Sequence, residues 1–451
     1  MQHNIQSIHA REILDSRGNP TLEATVVLES GIRASAAVPS GASTGRSEAH
    51  ELRDQEVHRY HGQGVRKAVQ HVSKDIADEL RGIAVTEQRD LDERMIRLDG
   101  TEEKKRLGAN AILGVSLACA RAAARAKEMP LYEYIRELFA THDHVRGMKT
   151  LFALPQKIAA SAERAPRLPF PMMNIFNGGK HADTNLDFQE FLIIPTASPR
   201  HDAHKTPLLP FTERARVGTE VFHTLGQVLR EHGLDTDVGN EGGYAPDIDS
   251  SVMALDMIVE ATKRAGYIPG KDVYLGMDVG AAVLYDLSKQ GYMFKLDHTF
   301  LRRDALIQLY EDWVLRYPFL SIEDGLDEED WEGWVELTKR LGKNVQLVGD
   351  DLFTTHADRL KKGTRMHAGN AILIKPNQVG TLTETLVTVA QAKKAGYRIV
   401  ISHRSGETCD AFIADLAVGV EADFIKAGAP SRGERIAKYN RLMAIEEELY
   451  Q

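Results

Sequence analysis

Three carboxylates in this sequence stand at the ends of short apolar runs that favour β-structure. Asp278 ends VYLGMD, Glu323 lies in LSIEDG, and Asp350 follows VQLVG. Carboxylates brought together in a protein interior repel one another unless a cation compensates their charge or some of them are protonated. A set of hard oxygen ligands favours Mg²⁺ over zinc. The pattern therefore predicts a magnesium site, and the alternative for each acid taken alone is a helix or turn cap.

Basic residues end the next three apolar runs. Lys375 follows AILI, His403 and Arg404 follow RIVIS, and Lys426 ends ADFIK. A strand-end lysine is usually a solvated charge, but a lysine in a buried strand is rare unless it is paired or functional. A lysine that acts as a base must be neutral, which requires its pKa to fall from about 10.4 by roughly three units. Lys426 or a bound metal ion would supply the positive charge that lowers this pKa.

A lysine base opposite a metal site suits the removal of a proton next to a carboxylate, because a metal ion stabilises the resulting enediolate. Two glycine-containing motifs add to this hypothesis. Glu241 in GNEGGYAP is a candidate general acid, since its glycines let the backbone approach a ligand closely, and a helix-capping acid is the alternative. PSGASTG at 39–45 predicts a mobile lid, although many surface loops have that composition.

A barrel would bring these groups together at one mouth. From residue 171 onward, strand and helix patterns alternate, with about eight strands of which the first two are consecutive. Catalytic groups of such barrels lie at the C-terminal ends of the strands. We therefore predict an α/β protein with a barrel over 171–451.

The N-terminal part has a different pattern and predicts an α+β cap domain over 1–135. Residues 5–40 alternate as three strands separated by turn residues, which indicates an antiparallel meander. Helical patterns follow at roughly 64–82, 87–98, 109–127 and 131–140. Residues 136–170 are interpreted as a linker. Residues 198–211 contain histidines and prolines, and we interpret them as a surface loop, since no metal-ligand spacing repeats.

Composition limits the function classes. The chain has 451 residues, a net charge of -9 and two cysteines far apart in sequence. The negative charge argues against nonspecific nucleic-acid binding, and the cysteine usage suits a reducing compartment. No apolar run approaches the roughly 20 residues that a membrane span needs, and the N-terminus does not resemble a secretory signal. We expect a cytoplasmic protein with neither a nucleic-acid nor a membrane partner.

Long motifs in order along the chain show what the sequence resembles. They are DSRGNPT, PSGASTG, GANAILGVSLA, NGGKHAD with DFQEF, GNEGGYAP, SIEDGLDEEDW, VGDDLF, ILIKPNQ, ISHRSGET and PSRGERIAKYN. With these motifs the chain resembles the enolase family, the glycolytic 2-phosphoglycerate dehydratases, over essentially its whole length. The resemblance implies a (β/α)8 barrel of the enolase type, ββαα(βα)6, with an N-terminal cap. It also implies a homodimer or octamer with a small phosphorylated substrate.

The resemblance further implies roles for individual residues. Lys375 would remove the C2 proton, Glu241 would protonate the leaving C3 hydroxyl, and Glu190 would assist it. Two Mg²⁺ ions are implied, the second arriving with substrate. The implied ligands of the first are Asp278, Glu323 and Asp350, and that of the second is Ser43 in the lid. The implied substrate contacts are Arg404 and Ser405 for the phosphate, Lys426 for the carboxylate, and His181, Gln189 and His403, of which His403 is also counted as catalytic.

The sequence departs from the family pattern at three positions near the site. Asn240 replaces the usual Asp before the acid, Val283 replaces a Glu, and Pro376 follows the lysine where Phe or Val is common. Two other functions are considered: a relative that dehydrates an acid sugar, and a binding or scaffold protein on the same frame. The phosphate grip at Arg404 and Ser405 argues against the first, and the absence of a basic stripe argues against the second.

Overall fold

The structure, a computed structural model, describes residues 3–41, 45–141, 166–196 and 209–450. Three sequence predictions lie wholly or largely outside the described residues. They are the ligand Ser43 with the centre of the lid, most of the linker 136–170, and most of the stretch 198–211.

The N-terminal sheet is the predicted antiparallel meander. Its strands pair in chain order and are β1 (Ile5–Leu14), β2 (Pro20–Leu28) and β3 (Arg33–Ala37). One face of the sheet packs on the alanine-rich helix that the sequence indicated most strongly, Ala109–Ala126. Close packing depends on Gly114, where a Cβ would lie 2.8 Å from Leu22 Cδ1. Small side chains thus let helix and sheet approach each other.

The helices of this part agree with the predicted patterns except in the first. They are α1 (Arg66–His71), α2 (Ala77–Leu80), α3 (Gln88–Asp99), α4 (Ala109–Ala126) and α5 (Leu131–Thr141). We predicted one helix over 64–82, but a π-helical turn at Val72–Ile76 separates α1 from α2. Ser73 in this turn accepts a hydrogen bond from the backbone N–H of Ala10 in β1, at 3.1 Å. A contact to a distant strand is not visible in local periodicity.

Among the described residues, eight strands close into a barrel, as predicted. In chain order they are β4 (Phe170–Asn177), β5 (Glu190–Pro195), β6 (Val273–Asp278), β10 (Phe319–Glu323), β11 (Gln346–Gly349), β12 (Ala371–Ile374), β13 (Arg398–Ser402) and β14 (Phe424–Lys426). The first two are consecutive, and β5 runs antiparallel to both β4 and β6. The β4–β5 connection contains no crossover helix, so the pair is antiparallel. The beginning of β5 therefore lies at the same mouth as the C-terminal ends of the other strands.

Helices surround the barrel, and a small additional sheet follows β6. The helices are α6 (Phe211–Glu231), α7 (Ser251–Arg264), α8 (Ala281–Leu284), α9 (Arg303–Arg316), α10 (Trp331–Leu341), α11 (Ala357–Met366), α12 (Pro376–Val379), α13 (Leu382–Lys394), α14 (Phe412–Gly419) and α15 (Gly433–Tyr450). The additional strands are β7 (Tyr285–Asp286), β8 (Gly291–Phe294) and β9 (Thr299–Leu301). We did not predict this sheet, because strands of two to four residues are too short to show a period of two.

The barrel interior is a packed core, not a channel. Apolar side chains from several strands form a cluster separate from the main core: Met172, Leu192, Ile194, Val348, Ala371, Leu373, Val400 and Phe424. The polar groups are thereby confined to the mouth. No helix among the described residues has the length and apolarity to cross a membrane.

Contacts between the N-terminal part and the barrel are polar as well as apolar. Asp92 of α3 accepts hydrogen bonds from Thr383 N at 3.0 Å and Thr383 Oγ1 at 2.6 Å. Arg121 of α4 forms a two-pronged ion pair with Asp410, with both distances 2.6 Å. These contacts hold the cap against the barrel beside the mouth.

Candidate active site

The barrel mouth brings most of the predicted residues into one small cavity of about 20 Å³. It is lined by His181, Gln189, Glu190, Glu241, Asp278, Asp350, Lys375, Ser402, His403, Arg404, Ser405 and Lys426. Each strand delivers its residue by position: Asp278, Glu323 and Lys426 are the last residues of their strands, and Glu190 is the first residue of β5. Glu323 does not line this cavity, but it contacts Lys426, which does. A wider cleft of about 740 Å³ lies beside this cavity, and its lining includes His181 and Asn240.

Lys426 is the cation at the centre of the acidic side. Its Nζ lies 3.0 Å from Asp278 Oδ2, 2.8 Å from Glu323 Oε2 and 3.1 Å from Glu190 Oε1. Burial opposes the charge on Lys426, but these carboxylates outweigh it and raise its pKa well above the usual value. The resemblance implied a contact with a substrate carboxylate. In this structure Lys426 neutralises the protein's own acids, and the contact with a substrate carboxylate stays a prediction.

The chemistry of the predicted acid set suits a divalent cation, although its three carboxylates do not form one of the groups of described residues whose ligand atoms lie within 4.8 Å of one another. Oε1 of Glu323 is buried and accepts no hydrogen bond from any described residue. Burial and the charge of Asp278 raise the pKa of Glu323 well above its usual value. A buried carboxylate oxygen without a donor costs stability unless an ion or a water compensates it. Asp278, Glu323 and Asp350 offer only oxygen ligands, which are those that Mg²⁺ prefers.

A second, tighter group of acids needs a different explanation. Carboxylate oxygens of Asp324, Asp350 and Asp351 lie within 4.8 Å of one another. Asp324, however, accepts hydrogen bonds from the backbone N–H groups of Asp350 and Asp351, both at 2.9 Å. It therefore holds the turn after β11 in place, and of this group only Asp350 belongs to the predicted ligand set.

Lys375 contacts Asp350 Oδ2 directly, and Gln378 Nε2 donates to the other oxygen, Oδ1, at 2.9 Å. The sequence argument required a lowered lysine pKa. Burial does lower the pKa of Lys375, and so does Arg404, but Asp350 outweighs both and the net pKa is raised. This arrangement of side chains does not lower the pKa of Lys375, because an ion pair with Asp350 stabilises the protonated form, and the role of Lys375 as a base stays a prediction.

The opposite side of the cavity holds two acids around a histidine. His181 Nδ1 lies 3.4 Å from Glu190 Oε1 and 3.5 Å from Glu241 Oε2. Burial opposes the charge on His181, but the two carboxylates raise its pKa to about 10. Burial and the charge of Glu241 raise the pKa of Glu190 to about 7. Burial also acts on Glu241, but His181 and His403 outweigh it and hold its pKa well below the usual range.

These pKa shifts concern Glu241, the predicted general acid. Asn174 Nδ2 also donates a hydrogen bond to Glu241 Oε2, at 2.9 Å. Of the two acids, Glu241 has the lowered pKa, whereas the raised pKa values of His181 and Glu190 favour the protonated form of those two residues. The three residues together can hold and relocate a proton over a short distance.

Arg404 links the barrel to the cap through a residue that we did not predict. Its Nη1 lies 2.8 Å from Glu48 Oε2, and its Nη2 lies 3.3 Å from Glu48 Oε1. Glu48 follows the predicted lid in sequence, and its Oε1 also accepts from Gly45 N at 3.0 Å. The sequence signal that could have identified Glu48 is the position of an acidic residue just after the lid motif. The fork of the guanidinium suits a planar or tetrahedral oxyanion, but here it pairs with Glu48, so the phosphate contact of Arg404 stays a prediction.

The stem of the lid is hydrogen-bonded to the loop after β13. Ser40 N donates to Gly406 O at 2.8 Å, and Gly406 N donates to Ser40 O at 2.9 Å. Asp15 of the DSRGNPT motif accepts from Ser40 Oγ at 2.9 Å, and Arg17 Nη2 donates to the same hydroxyl at 3.0 Å. The motif thus supports the start of the lid, which sequence alone did not explain.

Gly406 is the tightest point of this contact and supplies a prediction. A Cβ at Gly406 would lie 2.5 Å from Arg17 Nη2 and 2.6 Å from Ser40 Oγ. We expect Gly406→Ala to lower the free energy of unfolding by about 1–3 kcal/mol, the usual effect of overpacking. Gly433→Ala is the control, since no atom lies within 4 Å of its Cβ position. Urea unfolding of both variants is the measurement, and equal stability of the two would contradict a steric role for Gly406.

The departures from the family pattern leave the cavity intact. Asn240 uses its backbone here, donating from N to His181 O at 2.9 Å and accepting at O from Arg435 Nη2 at 2.9 Å. Pro376 begins α12, where a proline suits the first turn because no N–H is needed. Val283 lies in α8 and is 46% exposed.

Comparison with protein families agrees with this architecture. The model described as "Enolase, N-terminal domain" matches residues 5–135, and the model described as "Enolase, C-terminal TIM barrel domain" matches residues 165–451. Together they cover both the cap and the barrel, and they indicate a lyase-type enzyme. This chain belongs to the enolase family.

Proposed function

We propose that this protein catalyses the reversible, Mg²⁺-dependent dehydration of 2-phospho-D-glycerate to phosphoenolpyruvate, a step of glycolysis and gluconeogenesis. The observation that supports it most is the arrangement around one cavity. Lys375 lies on one side, the His181, Glu190 and Glu241 group lies on another, and Arg404 lines the cavity beside Glu48. An elimination needs a base, an acid and a binding group in such an arrangement.

Lys375 is the proposed base for the proton at C2. It has to be neutral, so its ion pair with Asp350 must be weakened first. Asp350 and Glu323 raise the pKa of Lys375, and both are proposed metal ligands. When they serve as ligands, the remaining influences of burial, Arg404 and Lys426 lower that pKa. A divalent cation held by Asp278, Glu323 and Asp350 supplies positive charge that stabilises the developing enediolate.

Glu241 and Glu190 are the proposed source of the proton that the C3 hydroxyl needs on leaving. The raised pKa values of His181 and Glu190 favour a proton on these residues. Glu241 can act as the acid once that proton moves to it. Arg404 and Ser405 are proposed to bind the phosphate, Lys426 the carboxylate, and Gln189 and His403 the remaining substrate atoms. A second Mg²⁺ bound through Ser43, a homodimer or octamer, and a cytoplasmic location belong to the same proposal.

A coupled assay tests the proposal. We expect the purified protein to form phosphoenolpyruvate from 2-phosphoglycerate with Mg²⁺ and to stop when EDTA removes the metal. A panel of acid sugars without phosphate, measured in parallel, should give no dehydration. Dehydration of an acid sugar with none of 2-phosphoglycerate would instead assign the protein to another dehydratase class. Absence of product from every substrate would contradict an enzymatic role.

A further inference from the structure

The guanidinium of Arg435 is buried beside the site, and the proposed mechanism does not use it. Arg435 lies in the first turn of α15 and has no exposed surface. Its Nη1 lies 2.8 Å from His403 Nδ1 and donates to Arg404 O at 2.6 Å. Its Nη2 donates to Ser405 O at 2.6 Å and to Asn240 O at 2.9 Å. One side chain thus joins the loop of the phosphate-binding residues to the loop that precedes Glu241.

We propose that Arg435 is a positioning residue that holds His403 in the tautomer with its proton on Nε2, on the side of the ring that faces the site. The proposal rests on the proposed function for its catalytic consequence, but not for the tautomer itself. A guanidinium has donors only and stays protonated in proteins. His403 Nδ1 must therefore accept from Arg435, which leaves Nε2 as the nitrogen that carries the proton. Nε2 is buried and has no hydrogen-bond partner among the described residues, since Glu241 Oε2, at 3.7 Å, is too far for one.

The same contact keeps His403 uncharged. An imidazolium would place a second N–H against the guanidinium at Nδ1. Burial lowers the pKa of His403 well below its usual value, and the charge of Arg435 adds to that effect although Glu241 opposes it. The groups facing His403 are Glu241, Arg435, Lys426 and Lys375. His403 is thus a donor that does not change its charge while the acids around it do.

The packing around Arg435 leaves room for this side chain and little else. A Cβ at Gly428, which has φ +86°, would lie 2.7 Å from Arg435 Cδ and 2.8 Å from Glu241 O. Ala429 N donates to Glu241 O at 2.9 Å, so the backbone of Glu241 is fixed in the same contact. A lysine could not reproduce it, because an ammonium lacks the planar fork that reaches acceptors on separate loops.

Selective ¹⁵N labelling of histidine tests the tautomer directly. The His403 signal is assigned by its loss in His403→Gln. We expect wild-type His403 to show a protonated Nε2 and a bare Nδ1 throughout pH 6–9. In Arg435→Gln we expect a mixture of tautomers or titration within this range. A proton on Nδ1 in the wild type would overturn the proposal, and so would an unchanged His403 signal in Arg435→Gln.

Kinetics test the consequence. A misplaced reacting group costs about 10²-fold, so we expect Arg435→Gln to lower kcat by about that factor and Arg435→Lys to recover only part of it. Arg214→Gln is the matched control. Arg214 is also a buried arginine that donates to backbone carbonyls, at 2.9 Å to Leu209 O and 3.0 Å to Pro169 O, at the other end of β4.

Four outcomes separate the possibilities. A loss of stability in Arg214→Gln with kcat and the His403 signal unchanged supports positioning by Arg435. An equal loss of kcat in both variants would reduce Arg435 to a structural residue. If the wild type does not convert 2-phosphoglycerate, the proposed function fails while the labelling experiment still decides the tautomer. If Arg435→Gln does not fold, the tautomer is decided by the His403 signals of the wild type and of Arg435→Lys.

Discussion

Replacing Lys375 with alanine is expected to lower turnover of 2-phosphoglycerate by at least about 10³-fold, the usual contribution of a positioned base. Lys375 is the cation in direct contact with Asp350, and its Nζ faces the cavity shared with Glu241 and Arg404. The variant also removes the ion pair that competes for Asp350. Mg²⁺ binding should therefore persist or strengthen, which isothermal titration calorimetry measures.

The matched control is Lys104→Ala. Lys104 is also a buried lysine with a single acidic partner, Glu384, at 2.8 Å, and it lies outside the cavity. We expect this variant to keep turnover within about threefold of the wild type. Exchange of the C2 proton with solvent distinguishes the roles further, because it should vanish in Lys375→Ala and continue in Glu241→Gln. Residual exchange at the wild-type rate in Lys375→Ala would remove lysine from the base role.

Lys426→Met carries the second large expected effect, on stability without metal. Its removal leaves the buried carboxylates of Asp278, Glu323 and Glu190 without their common cation. Breaking a buried ion pair by removing one partner costs about 3–5 kcal/mol. We expect the urea midpoint to fall accordingly in EDTA, and Mg²⁺ to restore most of the loss because it replaces the missing positive charge.

Lys438→Met serves as the control for metal rescue. Lys438 is fully buried and pairs with Glu407 Oε2 at 2.7 Å, but it does not contact the proposed ligands. We expect a comparable loss of stability in EDTA and no recovery with Mg²⁺. Equal recovery in both variants, or in neither, would contradict a cation site formed by the acids around Lys426.

Several features of this fold are encoded in local sequence. The family, the meander and the eight-stranded barrel are confirmed, because each rests on periodicity or on long motifs that local sequence contains. The strand-end positions of Asp278, Lys375 and His403 followed from the same reasoning. Their roles and the boundary of the linker 136–170 stay predictions, and Ser43 lies outside the described residues.

What the sequence alone determined is the fold and the set of groups at the mouth of the barrel. Their protonation and partners were decided only by the tertiary structure, because these depend on distances between segments far apart in the chain. Lys375 is protonated through Asp350, Lys426 neutralises three acids, and Glu241 is ionised beside His181. Arg435 shows the same limit: a motif contained it, but only the coordinates place its guanidinium against His403, since burial and hydrogen bonding are properties of the folded chain.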